Sequence, residues 1–154
     1  MAHEVYLSLG TNLGEKENNL HEAILMIQEQ VGMIVSRSAF YVTSPWGFET
    51  ENTFLNAVVG VKTEWMPLEL LAVTQRIERA LGRTHKTVDG AYTDRLIDID
   101  ILSFDDLAMQ TDVLVLPHPL LHLRRFVLEP LCEIAPDWIH PIMGKSASVL
   151  LSEL

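Results

Sequence analysis

Asp98 and Asp100 stand in Arg95-Leu96-Ile97-Asp98-Ile99-Asp100-Ile101-Leu102, where the carboxylates alternate with isoleucines. In a strand this alternation puts both aspartates on one face and Ile97, Ile99 and Ile101 on the other. The carboxylates then stand about 7 Å apart along the chain, a spacing at which hard cations and phosphate oxygens can be shared. By spacing alone, the pair is equally compatible with two solvent-facing aspartates on a half-exposed strand. Aspartate is disfavoured in strands, however, and like charges on one face repel unless something neutralises them. Basic groups gather nearby: Arg83, His85 and Lys86 in one loop, Arg95 at the mouth of the strand, and Arg124 and Arg125 beyond Pro117-His118. A guanidinium fork donates two hydrogen bonds to adjacent phosphate oxygens, so carboxylates with arginines point to phosphoryl-transfer chemistry.

The elements that must hold these residues can be read from periodicity. Val5 to Leu9 reads as a strand, followed by the Gly10–Gly14 loop. A helix follows on Leu20, Ala23, Ile24, Ile27 and Val31, with Gly32 as its stop. Met33 to Tyr41 and Phe54 to Thr63 read as strands, separated by a loop from Thr43 to Thr53. Pro67 opens a second helix on Leu70, Leu71, Thr74, Ile77 and Leu81, and Gly82 closes it. A polar loop, Arg83 to Asp94, leads into a fourth strand from Leu96 to Phe104. The order is β-α-β-β-α-β: an α+β, ferredoxin-like core with an antiparallel sheet backed by two helices. A hairpin through Leu107–Leu116, a helix near Leu123–Ile134 and a short helix near Ser146–Leu151 complete a single expected domain, residues 1–154.

Composition narrows the class of function. The chain has 154 residues, 48% hydrophobic and 21% charged, as expected of one globular domain. Its net charge of −10 argues against a nucleic-acid partner. From Arg76 to Arg125 seven Lys/Arg face eight Asp/Glu, whereas the rest has four against thirteen, so positive charge gathers around the aspartates. That suits a small polyanion with metals. No apolar run reaches the ~20 residues of a membrane span, and Met1-Ala2-His3-Glu4 does not open like an export signal. The single cysteine, Cys132, lies among apolar neighbours and is expected to be a buried structural thiol in a reducing cytosol. Gly10 and Gly14 lack the Gly-Lys-Ser/Thr ending of a P-loop, and His118 and His122 lack a third metal ligand at suitable spacing. Trp65 and Trp138 read as core or rim packing. Two non-enzymatic readings, a metabolite sensor and a single-stranded RNA binder, fit the architecture but not the aspartate pair.

Taken together, several segments resemble one family, the 6-hydroxymethyl-7,8-dihydropterin pyrophosphokinases. They are Leu9-Gly10-Thr11-Asn12-Leu13-Gly14, Phe40-Tyr41-Val42-Thr43-Ser44-Pro45-Trp46-Gly47, Phe54-Leu55-Asn56-Ala57-Val58, Gln75-Arg76-Ile77-Glu78 with Gly82-Arg83, Arg95 with the Asp98–Asp100 segment, and Pro117-His118 with Arg124, Phe126 and Pro130-Leu131. The resemblance spans nearly the whole chain. It implies transfer of pyrophosphate from ATP to the hydroxymethyl group of the dihydropterin in folate biosynthesis, by a cytosolic monomer. Asp98 and Asp100 would hold two magnesium ions, and Arg83 and Arg95 would grip phosphate beside them. Gln75, Glu78, His85, Tyr92, Ile101, His118 and Arg124 would join Arg83 and Arg95 around ATP. Thr43, Pro45, Trp46, Phe54, Asn56 and Phe126 would form the pterin pocket. Phe54 and Phe126 would sandwich the flat ring, adding roughly 0.5–1.5 kcal/mol beyond area burial. The chain also departs from the family pattern: His85 replaces a second loop arginine, Tyr92 a tryptophan and Thr93-Asp94 a Gly-Pro.

Overall fold

The structure, a computed structural model, describes residues 2–43, 53–82 and 97–154. Its central strand is β1 (His3–Thr11). Along β1 the side chains of Val5, Leu7 and Leu9 are fully buried on one face, and Tyr6, Ser8 and Gly10 take the other. Helix α1 (Lys16–Gln30) returns the chain to edge strand β2 (Gly32–Arg37), and a short β3 (Tyr41–Thr43) leads to β4 (Phe54–Thr63). Helix α2 (Pro67–Gly82) then precedes β5 (Asp98–Phe104). The sheet order is β2-β4-β1-β5, with β3 also on β4, and every pairing is antiparallel. This is the ferredoxin-like arrangement expected from the element order.

Each face of the sheet has its own core. On the first, Leu7, Leu9, Val59, Val61, Ile99 and Ile101 meet Leu20 and Ile27 of α1 and Leu70 and Ile77 of α2. At about 1.5–3 kcal/mol for each fully buried aliphatic side chain, this face alone is a large part of the folding free energy. A hairpin of β6 (Met109–Gln110) and β7 (Val115–Leu116), whose Met109, Leu114 and Leu116 join the first core, leads to the second face with a 3-10 turn (Leu121–Leu123), α3 (Arg125–Ile134) and α4 (Ala147–Ser152). Leu121, Val127, Leu128, Leu131, Ala147 and Leu150 from these elements cover Val58 and Leu102, with Tyr6 alongside. The cover stops short of Asn56, Gly10 and Asp98, which leaves that end of the second face open.

Three local expectations are corrected. The second strand does not run unbroken from Met33 to Tyr41. Ser38 still donates its N–H to Val58 O, but the Val58 N–H bonds to the Ser38 hydroxyl instead of a backbone carbonyl. Buried Ser38 thereby ends the ladder, and the chain re-enters the sheet as β3. Gly32 does not stop α1 in a left-handed conformation. It starts β2, where a Cβ would lie 2.0 Å from Lys62 O, so close backbone approach requires the glycine. The late helix begins at Arg125, the three residues up to Leu123 being a tighter 3-10 turn. Cys132 is half-buried, and burial pushes its thiol pKa up. Among the described residues, no helix is long and apolar enough to cross a membrane.

Candidate active site

Strand register assembles the site as two rows across the second face. In one, Tyr41 of β3 pairs with Asn56 of β4, Asn56 with Gly10 of β1, and Gly10 with Asp98 of β5. In the next, Val58, Ser8 and Asp100 stand side by side. Both aspartates are partly exposed, and Ile99 between them is buried in the opposite core. Adjacent strands lie roughly 4.8 Å apart, so Asn56 and Asp98 face each other across about 10 Å, with a glycine between them. The missing side chain makes a trough: a Cβ at Gly10 would come within 2.9 Å of Asn56 Oδ1.

The trough opens into a cavity of about 1080 Å³ whose lining includes Ser8, Gly10, Tyr41, Thr43, Phe54, Asn56, Asp98, Asp100, Arg124 and Phe126. At one end Asn56, only 4% exposed, donates from Nδ2 to the Thr43 hydroxyl at 2.7 Å. A buried amide held on one side keeps a fixed orientation for whatever it meets on the other. Phe54 and Phe126, from β4 and the start of α3, bring two aromatic rings to this cavity. The aspartates occupy the other end. Their hard oxygen donors on one face suit divalent cations that also bind phosphate.

Cationic and imidazole groups stand next to the aspartates. Arg124 lies just before α3 with its guanidinium 5.5 Å from the centre of the Phe126 ring, a cation–π contact. His118 is near enough to Asp100 and Arg124 to feel both charges. Burial lowers its pKa most, Asp100 opposes that shift and Arg124 adds to it. Its Nδ1 accepts the Leu120 N–H at 3.1 Å, so the neutral ring carries its proton on Nε2 as a donor. Glu78 of α2 accepts the Ile99 N–H at 2.8 Å, which ties the second helix to the strand between the aspartates. Gln75 is exposed on α2 and does not line the cavity. The Ile101 side chain is in the first-face core, leaving its backbone as the part that can meet a ligand.

The sequence-predicted Pro45, Trp46, Arg83, His85, Tyr92 and Arg95 lie outside the described residues. Of the rest, Asp98, Asp100, Arg124, Thr43, Phe54, Asn56 and Phe126 line one cavity, whereas Gln75, Glu78, Ile101 and His118 do not. Sequence reading did not place Ser8, Tyr41, Leu120, Leu123, Glu129 and Leu154 in the lining. Ser8 was within reach of it, being two residues from Gly10 on the same strand face. Leu120 and Leu123 stand 41% and 60% exposed in this lining.

The family model described as 7,8-dihydro-6-hydroxymethylpterin-pyrophosphokinase matches residues 6–136. A 2-amino-4-hydroxy-6-hydroxymethyldihydropteridine pyrophosphokinase of Porphyromonas gingivalis is 50% identical over 138 residues, covering 89% of this chain and 93% of that protein. One of the same name from Bacillus subtilis is 41% identical over 130 residues, covering 84% and 76%. A crystal structure of Plasmodium falciparum HPPK-DHPS with pteroate superposes with a TM-score of 0.79 at 17% identity, which speaks for the fold. It covers 99% of this chain, while the chain spans 44% of the Plasmodium one. With the family model matching most of the chain and relatives at 41–50% identity along most of their length, the chain belongs to the 7,8-dihydro-6-hydroxymethylpterin-pyrophosphokinase family.

Proposed function

We propose that this chain transfers pyrophosphate from ATP to the hydroxymethyl group of 6-hydroxymethyl-7,8-dihydropterin, releasing AMP, as a single-domain cytosolic monomer in folate biosynthesis. The observation that carries the residue assignments is the Asn56–Gly10–Asp98 row, which sets a polar anchor for a flat ring one trough away from a carboxylate pair. In this reading Asn56, held by Thr43, meets the hydrogen-bonding edge of the pterin, and Phe54 and Phe126 take its faces. The glycine trough lets the ring lie against the sheet with its hydroxymethyl group directed toward Asp98.

ATP would lie on the aspartate side, with Arg124 on phosphate and His118 donating from Nε2. From the family resemblance, Gln75, Glu78 and the Ile101 backbone would contact the nucleotide, with Arg83, His85, Tyr92 and Arg95 completing the grip. Pro45 and Trp46 would complete the pterin pocket. Asp98 and Asp100 would hold two magnesium ions, which when bound neutralise phosphate charge and make the β-phosphorus more open to attack. The pterin oxygen attacks that phosphorus and AMP leaves. No protein nucleophile is required, so these side chains act by positioning and by charge stabilisation.

Incubation with ATP, magnesium and the dihydropterin, followed by separation of the nucleotides, tests the reading. Pterin-dependent AMP is the expected product, whereas ADP would mean a different transfer. Asp98→Ala and Asp100→Ala are each expected to lower turnover by at least about a hundredfold while the protein stays folded. Activity within tenfold of the parent in either variant would remove the metal assignment.

A further inference from the structure

Glu133 sits in the last turn of α3 as an exposed carboxylate, a place where the helix dipole disfavours negative charge. It is seven residues after Phe126, two helical turns along the same side of α3. Its two oxygens accept the Ala39 N–H at 3.1 and 3.0 Å, and Oε1 also accepts the Tyr41 phenol at 2.5 Å. Ala39 lies in the gap that Ser38 opens between β2 and β3, where the N–H has left the sheet. This acceptor pushes the Tyr41 pKa up to about 12, so the phenol remains a donor throughout the neutral range. Tyr41 is the cross-strand neighbour of Asn56, and Thr43, two residues on, holds the Asn56 amide.

We infer that Glu133 is a positioning residue for the pterin end of the site, clamping the segment that carries Tyr41 and Thr43 to the helix that carries Phe126. The inference rests on the pterin assignment made above. Glu133 is not needed to close the chain into its fold, since β3 is already paired with β4 through three residues and α3 is buried by Val127, Leu128 and Leu131. The clamp instead sets the distance between two walls of one cavity. One wall holds the amide anchor, the other a stacking ring. Its loss therefore falls mainly on the pterin: the aspartates of β5 are untouched, and of the groups assigned to ATP only Arg124, beside Phe126, shares this wall.

Steady-state kinetics with each substrate varied in turn test the clamp in Glu133→Ala, Glu133→Gln and Tyr41→Phe. Glu133→Ala is expected to raise the pterin KM roughly tenfold, with the ATP KM rising by no more than about threefold through Arg124 and kcat within about twofold of the parent. Glu133→Gln keeps an acceptor for Ala39 and is expected to recover part of the loss. Tyr41→Phe keeps the ring and removes one bond, so a smaller rise is expected. Adding Tyr41→Phe to Glu133→Ala should then change little, because both act through one contact. An unchanged pterin KM in Glu133→Ala, an equal rise for ATP, or additive effects in the double variant would each overturn the inference. A lowered melting temperature with unaltered KM would do the same, leaving Glu133 a purely structural tie. Absence of pterin-dependent AMP from the parent protein would overturn the activity reading instead. Equilibrium pterin binding, compared between parent and variants, would then still decide the clamp.

Discussion

Because position 10 has no side chain, the trough between Asn56 and Asp98 stays open, and a methyl group there meets Asn56 Oδ1 at 2.9 Å. Glycine is otherwise a poor choice inside a strand, costing roughly 0.5–1 kcal/mol relative to alanine. Alanine would recover that strand cost but must displace the buried, Thr43-held Asn56 amide, so Gly10→Ala is expected to lower the melting temperature modestly at most while raising the pterin KM by about tenfold or more. Parallel thermal melts and kinetics check this, and an unchanged KM would show that the trough does not hold the ring. Much of the cavity lining was legible in the sequence. Asp98 and Asp100 follow from strand alternation, and Asn56, Phe54 and Phe126 from the family resemblance. Tyr41 as a cavity residue and Glu133 as its acceptor were not legible. Their contact joins residues 92 apart in sequence, and neither local period nor composition reports a pairing at that range.

Among the elements, β4 and α2 were readable to their ends, Phe54–Thr63 and Pro67–Gly82. Their signals are local: β-branched runs, a proline at a helix start and a stripe recurring at three and four. The second strand was misread, and α1 ends where expected but by other means, because distant partners decide both. Ser38 borrows Val58 to leave the ladder. At the end of α1, the Val31 carbonyl accepts the Thr63 hydroxyl at 2.7 Å and the Gln30 carbonyl accepts Trp65 Nε1–H at 2.8 Å. Thr63 and Trp65, at and just beyond the end of β4, thus satisfy the last carbonyls at this helix end. Trp65 is 37% exposed and was expected simply to pack; its indole N–H has this capping role. Trp65→Phe keeps most of the ring area but removes the donor. It is expected to cost about 1 kcal/mol, a fall of roughly 3 °C in melting temperature, with kinetics unaltered. A melting temperature equal to the parent's would mean that water replaces the indole without loss.

Across the whole molecule, the second layer carries the wall of the site, so conditions that loosen that layer should act on Arg124 and Phe126 together. His140 is the titratable group buried in it at 5% exposure. Its Nδ1 accepts N–H bonds from Ile142 and Met143, its backbone N–H bonds to Lys145 O, and the rings of His122 and Trp138 pack against it. Burial, and then the nearby His122, lower its pKa in the folded protein. The unfolded chain therefore takes up a proton first as pH falls below about 6.5, and the proton favours unfolding until the lower folded pKa is passed. Stability from this site is complete above that pH and is lost on acidification. The net charge of −10 shrinks over the same interval, and relief of self-repulsion works in the opposite sense. His140→Asn separates the two effects, since an asparagine Oδ1 occupies the place of Nδ1 and accepts the same backbone donors without titrating. Between pH 7.5 and 5.5 the parent is expected to lose more melting temperature than His140→Asn, with the curves converging at the upper end. Parallel curves would mean that the imidazole takes up its proton equally in the folded and unfolded states, and the acid sensitivity of the second layer would have to come from its carboxylates.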